Sequence, residues 1–445
     1  MKNITERIVS FAADLQIGQV PLSVQKSSKL SILDGLGTGL LCSGNQKSRQ
    51  LARALIPVSH GASTVWGRRE KASLLAATLI NGTFVEGLGY SDVHVRAQLH
   101  PTGVILPAVL TYGEKSRNSG EEVLNAFSLG CEVMVRLGLS APGRFHARGF
   151  QPTSIIGGLG AALAVGKLAG LDRDGLENAL GIASTFSFGS SLSVRVGAYF
   201  GGPDPGRAAE SGVMASLLAK NGVKGIAHDS IEGSSGFLET YAGSGNYDSR
   251  PIISGLSARW EMADVFVKRY PTSYSCTNVL DAAVWLRRKV GRDIHAIKAV
   301  RFGESAHNIG LFCDPERQKR SPDSLYAAET SYYFLVAAAL RYGAVTVQTL
   351  DEFRERSLLT LAEKVEAVRD EKSRWVEVEL KDGTILKKVQ DELVQTTEEE
   401  LRRKFYENSS PVLGSERAAK LEAAVDSLGK LKDVRDLTRL LARKD

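Results

Sequence analysis

The run Gly157-Gly158-Leu159-Gly160-Ala161-Ala162 constrains this chain more than any other feature. It lies inside a segment, Thr153–Leu168, whose apolar residues recur at helical spacing. Small side chains let helix axes come close, so the run predicts a tightly packed helical bundle. A glycine-rich dinucleotide loop has a similar composition, but it needs a strand before it. Here Arg148-Gly149-Phe150-Gln151-Pro152-Thr153, a turn, comes first. The chain contains neither GxxxxGK[ST] nor GxSxG, which excludes a P-loop and an esterase elbow.

The helical pattern extends through the first 245 residues. It covers Ile4–Ala12, Val24–Leu36, Lys71–Phe84, Gly103–Glu114, Glu121–Leu137, Arg173–Ser187 and Gly206–Asn221. Ser119-Gly120 precedes the Glu121 helix, Gly170 closes the Thr153 helix, and Asp172 is a natural N-cap. Near residue 250 the character changes. Ile294–Phe302 reads as a strand, Asp281–Val290 and Tyr326–Arg341 as helices. Trp375–Leu380 and Thr384–Val389 flank Lys381-Asp382-Gly383, a hairpin signal. Helical spacing returns at Glu398–Tyr406, Ser415–Leu428 and Val434–Leu441. The expected fold is mainly α. Residues 1–250 form a large helical domain, 251–395 a smaller α+β lid, and 396–445 return to the helical domain.

A length of 445 residues fits two or three domains. The balance of 56 basic and 50 acidic residues, net +6, is too even to indicate nucleic acid. It is compatible with a site for a small polyanion. Cys42, Cys131, Cys276 and Cys313 are widely spaced, which predicts free thiols in a reducing compartment. The opening segment lacks a signal-peptide core and no stretch is long enough to span a membrane, so a soluble cytoplasmic protein is expected.

Four stretches carry polar residues fit for chemistry. Gly87-Leu88-Gly89-Tyr90-Ser91-Asp92-Val93-His94 runs through Val95–Leu99 into His100-Pro101-Thr102-Gly103. It feeds a helix N-terminus near Thr102, whose free N–H groups can hold an anion while His100 moves protons. The spacing of Asp92, His94 and His100 matches no standard metal-ligand pattern, so no metal is expected. A loop capped by its own His and Asp side chains is the competing account. In Arg144–Thr153, Thr153 can N-cap the next helix and Arg148 can grip a carboxylate, or be a plain surface arginine. Gly201–Ala209 is a rigid turn into a helix with Arg195, Tyr199 and Arg207 nearby. Lys268-Arg269-Tyr270-Pro271 sits where the two domains adjoin in sequence and suits an acidic ligand, though a solvated lysine reads equally well.

In order along the chain, these residues resemble the MmgE/PrpD family. The resemblance rests on Ile32–Gly37, Asn81-Gly82-Thr83, His100-Pro101, Pro107-Ala108, Ala147-Arg148-Gly149-Phe150, Pro205–Ala209, Lys268-Arg269-Tyr270-Pro271 and Asp382-Gly383. The family includes 2-methylcitrate dehydratase, cis-aconitate decarboxylase and an iminodisuccinate epimerase. The resemblance implies a helical domain built from both chain ends plus a lid, usually in a homodimer, with no cofactor. It implies His100, Lys268 and Asp92 as catalytic residues, with Arg148, Arg207, Tyr199, Gln151 and Arg269 binding a small anionic substrate. This chain also departs from the family pattern. Gly89 and Val93 replace an acid and a hydroxyl, and Gln151 replaces the histidine of Gly-Phe-His-Pro. Gly201 stands at a lysine position, and the histidine that the family has after the Tyr-Pro is absent, with Thr277 about there. The expectation is a lyase of the dehydratase or decarboxylase type with an altered polycarboxylate substrate. An epimerase and a non-catalytic relative are the alternatives.

Overall fold

Close backbone approach organises the helical body. A Cβ on Gly212, in the Pro205–Lys220 helix, would lie 2.8 Å from both the Ala162 nitrogen and the Gly158 carbonyl of the Pro152–Leu168 helix. A Cβ on Gly82, in the Leu74–Val85 helix, would lie 2.5 Å from Gly206 Cα. The computed structural model describes residues 3–192, 205–291 and 293–443. It is mainly α, as the periodicity predicts, with a small mixed sheet.

The chain divides into two units. The first comprises Met1–Gly87, Ser91–Val267 and Thr397–Asp445. Its centre is the Pro152–Leu168 helix, in which every residue but Lys167 is buried. The Leu22–Ser43, Leu74–Val85, Thr102–Ser116, Gly120–Leu139 and Pro205–Lys220 helices surround this core. Local chemistry sets the ends. Ser119 forms a capping box with Glu122, and Asp172 accepts the Gly175 N–H at 2.9 Å. Gly170 takes the left-handed φ of +73° that closes the preceding helix. The C-terminal helices Glu398–Leu413 and Ser415–Asp426 complete this body. Lys404 Nζ meets Asp34 Oδ1 at 2.7 Å with both groups buried, and Phe405 lies on Gly37.

The second unit comprises Leu88–Tyr90 and Lys268–Thr396. Its four strands run in the order Val365–Arg369, Ile297–Glu304, Trp375–Leu380, Ile385–Val389. The first pair is parallel and the other two are antiparallel. Val300, Phe302, Val376 and Val378 face a core shared with the Thr277–Val290 and Tyr332–Tyr342 helices. Arg301, Glu377 and Glu379 lie on the opposite face and pair with one another. The hairpin turns at Gly383, whose φ is +89°.

Several boundaries differ from the expected ones. Lys71-Ala72 is not the start of a helix but a short strand against Ser63-Thr64. The Tyr326–Arg341 pattern breaks at Thr330-Ser331, because the Ser331 hydroxyl caps a new helix by accepting the Phe334 N–H. The strand Val365–Arg369 carries only two large apolar residues and no turn signal, so its pattern is too short to read. Residues 251–267 belong to the first unit. No helix among the described residues is long and apolar enough to cross a membrane.

Gly212→Ala is expected to cost about 1–3 kcal/mol, because rigid backbone faces the new methyl. Gly310→Ala, where no atom lies within 4 Å, is expected to be neutral or slightly stabilising. Denaturant unfolding of the two variants checks this.

Candidate active site

The polar cluster of the first unit begins with a carboxylate. Asp92 is buried and lies beside the start of the Thr102–Ser116 helix. Its Oδ1 accepts the Thr102 N–H at 3.3 Å and its Oδ2 bonds the Thr102 hydroxyl. The helix N-terminus read from sequence as an anion site is therefore occupied by the chain's own carboxylate. Burial pushes the Asp92 carboxyl up to about 7, against the pull of Thr102 and with help from the Asp34 and Glu86 charges.

His100 is anchored from two sides. Its backbone N–H donates to Thr153 Oγ1 at 3.0 Å, and its Nδ1 lies 2.6 Å from the Asp92 carbonyl oxygen. A carbonyl only accepts, so Nδ1 carries the hydrogen and Nε2 is left as the basic nitrogen. Glu86 Oε1 lies 4.0 Å from Nδ1, with that carboxylate side chain only 8% exposed. It is placed to compensate the charge the ring gains on taking a proton. The Ser91 hydroxyl holds Glu86 by donating to Oε2. Burial and the neighbouring His100 lower the basicity of His146, which stands on the short Arg144–Ala147 helix.

Sequence reasoning overlooked Glu86 and His146. A glutamate ending the apolar Leu74–Val85 helix reads as a solvated terminus, yet Glu86 turns inward. Thr153 was expected to cap its helix. Gln151 occupies the N-cap position and Pro152 the first turn, so the Thr153 hydroxyl is instead spent on His100. His94 stabilises its loop: Nδ1 accepts the Ala97 N–H at 3.1 Å, and burial pushes the ring down to about 4.

The other candidates are distributed as follows. Gln151 is buried, and its N–H donates to the Gly189 carbonyl at 3.1 Å. Arg148 is exposed and donates from Nη2 to the Thr240 carbonyl at 3.2 Å. Arg207 is paired with Glu210, and its guanidinium carbon lies 5.7 Å from the Phe188 ring centre. Tyr199 falls outside the described residues, as do Arg195 and Gly201. Lys268 and Arg269 belong to the second unit. Lys268 is buried and donates to the Gly89 carbonyl at 2.6 Å. Arg269 grips Asp281 with Nη1 at 2.8 and 2.9 Å, and Tyr270 donates to the same carboxylate at 2.7 Å. Among the described residues no group of three His, Cys, Asp or Glu side chains is arranged to hold a metal.

The Asp92 loop is tied to the body through one strand pair. Val93 and Phe266 exchange N–H···O bonds at 2.8 Å. The segment before Phe266 is fixed by Arg136, which is 1% exposed. Its Nη1 donates to the carbonyls of Pro251 and Ser254 at 2.9 and 2.8 Å, and its Nη2 to that of Arg259 at 2.7 Å. Glu132 receives its Nε–H at 2.5 Å and accepts the N–H groups of Glu261 and Met262.

A body closed by both ends of the chain, interrupted by a separate α+β unit and carrying a histidine–carboxylate cluster, defines a split helical protein with acid–base potential. Residues 6–250 match the MmgE/PrpD N-terminal domain and residues 270–430 the MmgE/PrpD C-terminal domain. The chain belongs to the MmgE/PrpD family. It is 29% identical to cis-aconitate decarboxylase of Mus musculus, covering 99% of this chain and 94% of that protein. The figures for the Homo sapiens enzyme are 29%, 99% and 95%. For cis-aconitate decarboxylase of Aspergillus terreus they are 26%, 98% and 96%.

Two outcomes follow from the geometry. Arg136→Met leaves Glu132 buried without its cation and is expected to cost about 3–5 kcal/mol in thermal or denaturant unfolding. Asp92 binds a proton more tightly in the folded than in the unfolded chain. The stability it contributes is therefore full below about pH 4 and is lost as pH rises towards 7. Asp92→Asn removes that dependence. Its stability relative to the wild type is expected to rise between pH 4 and 8, by up to about 4 kcal/mol at roughly 1.4 per pKa unit.

Proposed function

We propose that this protein is a lyase of the MmgE/PrpD type that acts on a small polycarboxylate, with His100 as the group that moves the proton. One observation carries the reading. The Asp92 carbonyl fixes the His100 tautomer at 2.6 Å, leaving Nε2 basic, in a chain that aligns end to end with cis-aconitate decarboxylases.

The chemistry suited to such a group is proton transfer at a carbon beside a carboxylate. In a decarboxylation the carbon–carbon bond to the departing carboxylate breaks and carbon dioxide leaves. The electron pair stays on the substrate, delocalised onto the adjoining unsaturated carboxylate. An imidazolium at His100 then delivers a proton from Nε2 to that carbon, and Glu86 offsets the ring's charge beforehand. In a dehydration the same nitrogen removes the α-proton, the carbon–oxygen bond breaks, and the leaving hydroxide takes a proton from solvent to depart as water. Arg148 is the proposed cation for a remaining carboxylate. Arg207 and Arg269 are left out, because Glu210 and Asp281 occupy their guanidinium groups. Gln151, standing where the family pattern has histidine, supports an altered substrate within this class.

The test is turnover in deuterium oxide with cis-aconitate and related di- and tricarboxylates, followed by proton and carbon NMR. A product that has lost carbon dioxide or water and gained one deuterium is expected. His100→Gln should lower kcat/KM by about 10²–10⁴-fold with the fold intact. Deuterium exchange on an unchanged skeleton would mark an epimerase instead. Turnover that survives His100→Gln removes this residue from the mechanism.

A further inference from the structure

A second group of charges lies on the first unit with few acids to balance it. Arg49 and Arg53 stand one turn apart on the Gln46–Leu55 helix, both exposed. Like charges at this spacing repel and weaken a helix. Neither guanidinium has a hydrogen-bond or ion-pair partner among the described residues. Arg68 is brought to the same corner. Its Nη2 donates to the Ser43 carbonyl at 3.4 Å, at the end of the Leu22–Ser43 helix, just before the basic helix begins. Its backbone is pinned by the Arg443 N–H, which donates to the Arg68 carbonyl at 3.0 Å. The Arg68 side chain is 17% exposed, and its Nε–H is buried with no acceptor among the described residues. The facing acid is Glu70, 4.0 Å from Nη1 and itself half exposed.

We infer that Arg49, Arg53 and Arg68 form a binding site for a small multivalent oxyanion, either phosphate or a polycarboxylate. Guanidinium groups match the geometry of both, and a dianion satisfies several of them at once. Burial lowers the basicity of the Arg68 guanidinium; Glu70 opposes this, and Arg49 and Arg53 add to it. A bound anion relieves the repulsion among the three guanidinium groups.

The full chain and its Arg49→Gln/Arg53→Gln variant are titrated with inorganic phosphate and, separately, with citrate. Ionic strength is held constant with sodium chloride, and melting temperature and calorimetric affinity are read. In chloride alone the variant is expected to melt at or above the wild type. With at least one of the two anions the wild type should gain more in melting temperature, and its Kd should be at least about tenfold tighter than the variant's. Loss confined to phosphate identifies phosphate as the ligand, and loss confined to citrate identifies a polycarboxylate. Arg68→Met should weaken the same anion. Equal gains in both proteins, or no gain beyond chloride with either anion, overturn the site.

Discussion

A single buried guanidinium does more to position the Asp92–His100 cluster than any group within it. Arg136 gathers the carbonyls of Pro251, Ser254 and Arg259, while its partner Glu132 gathers the N–H groups of Glu261 and Met262. Together they turn an irregular stretch, which has no ladder of its own, into a fixed strap. The strap ends at Phe266, the antiparallel partner of Val93. Asp92 is next to Val93 in the chain, and the Asp92 carbonyl orients the His100 ring. The route from an ion pair in one helix to the basic nitrogen of an imidazole is thus a short series of backbone hydrogen bonds. Burying a charge is costly unless every donor and acceptor around it is used. Arg136 is stable in its site because the strap supplies those acceptors.

The cluster itself places three carboxyl groups in different surroundings. Asp92 is shielded from water and close to the Asp34 and Glu86 charges, which favours its neutral form. Asp34 has Lys404 beside it. Glu86 has the Ser91 hydroxyl and the His100 ring. Three carboxylates on neighbouring elements therefore have three different partners, and only one of them stands next to the imidazole edge. An imidazole with a fixed donor side and a nearby counter-charge suits repeated protonation and deprotonation without reorganisation of its surroundings.

Much of the architecture was legible in the sequence, because helix ends carry their own chemistry. Ser119, Asp172 and Gly170 mark boundaries that hydrogen bonds and a positive φ enforce. The Asp382-Gly383 turn announces its hairpin for the same reason. What escaped were interactions made over long sequence distances. Thr153 has the composition of a cap, yet its hydroxyl is taken by a backbone N–H some fifty positions upstream. Glu86 looks like a helix terminus in water until the fold buries it. Arg269 looks like a free cation until Asp281, 12 residues further along the chain, closes on it. His94 and His100 share one loop, but only tertiary surroundings make one ring accept the Ala97 N–H and set the other against the Asp92 carbonyl. The Val365–Arg369 strand depends on a parallel neighbour that no local pattern names.

The placement of Lys404 against Asp34 has a consequence for biosynthesis. The helical body cannot close until its last helices are made, and the whole of Lys268–Thr396 must be translated first. At ordinary ribosome speeds that delay is on the order of ten seconds. During it, the surface on Leu22–Ser43 destined for Phe405 has no cover from its own chain. The emerging polypeptide therefore needs either slow collapse or a chaperone's shelter, and a truncation that removes the final helices should yield an aggregating product rather than a smaller working one.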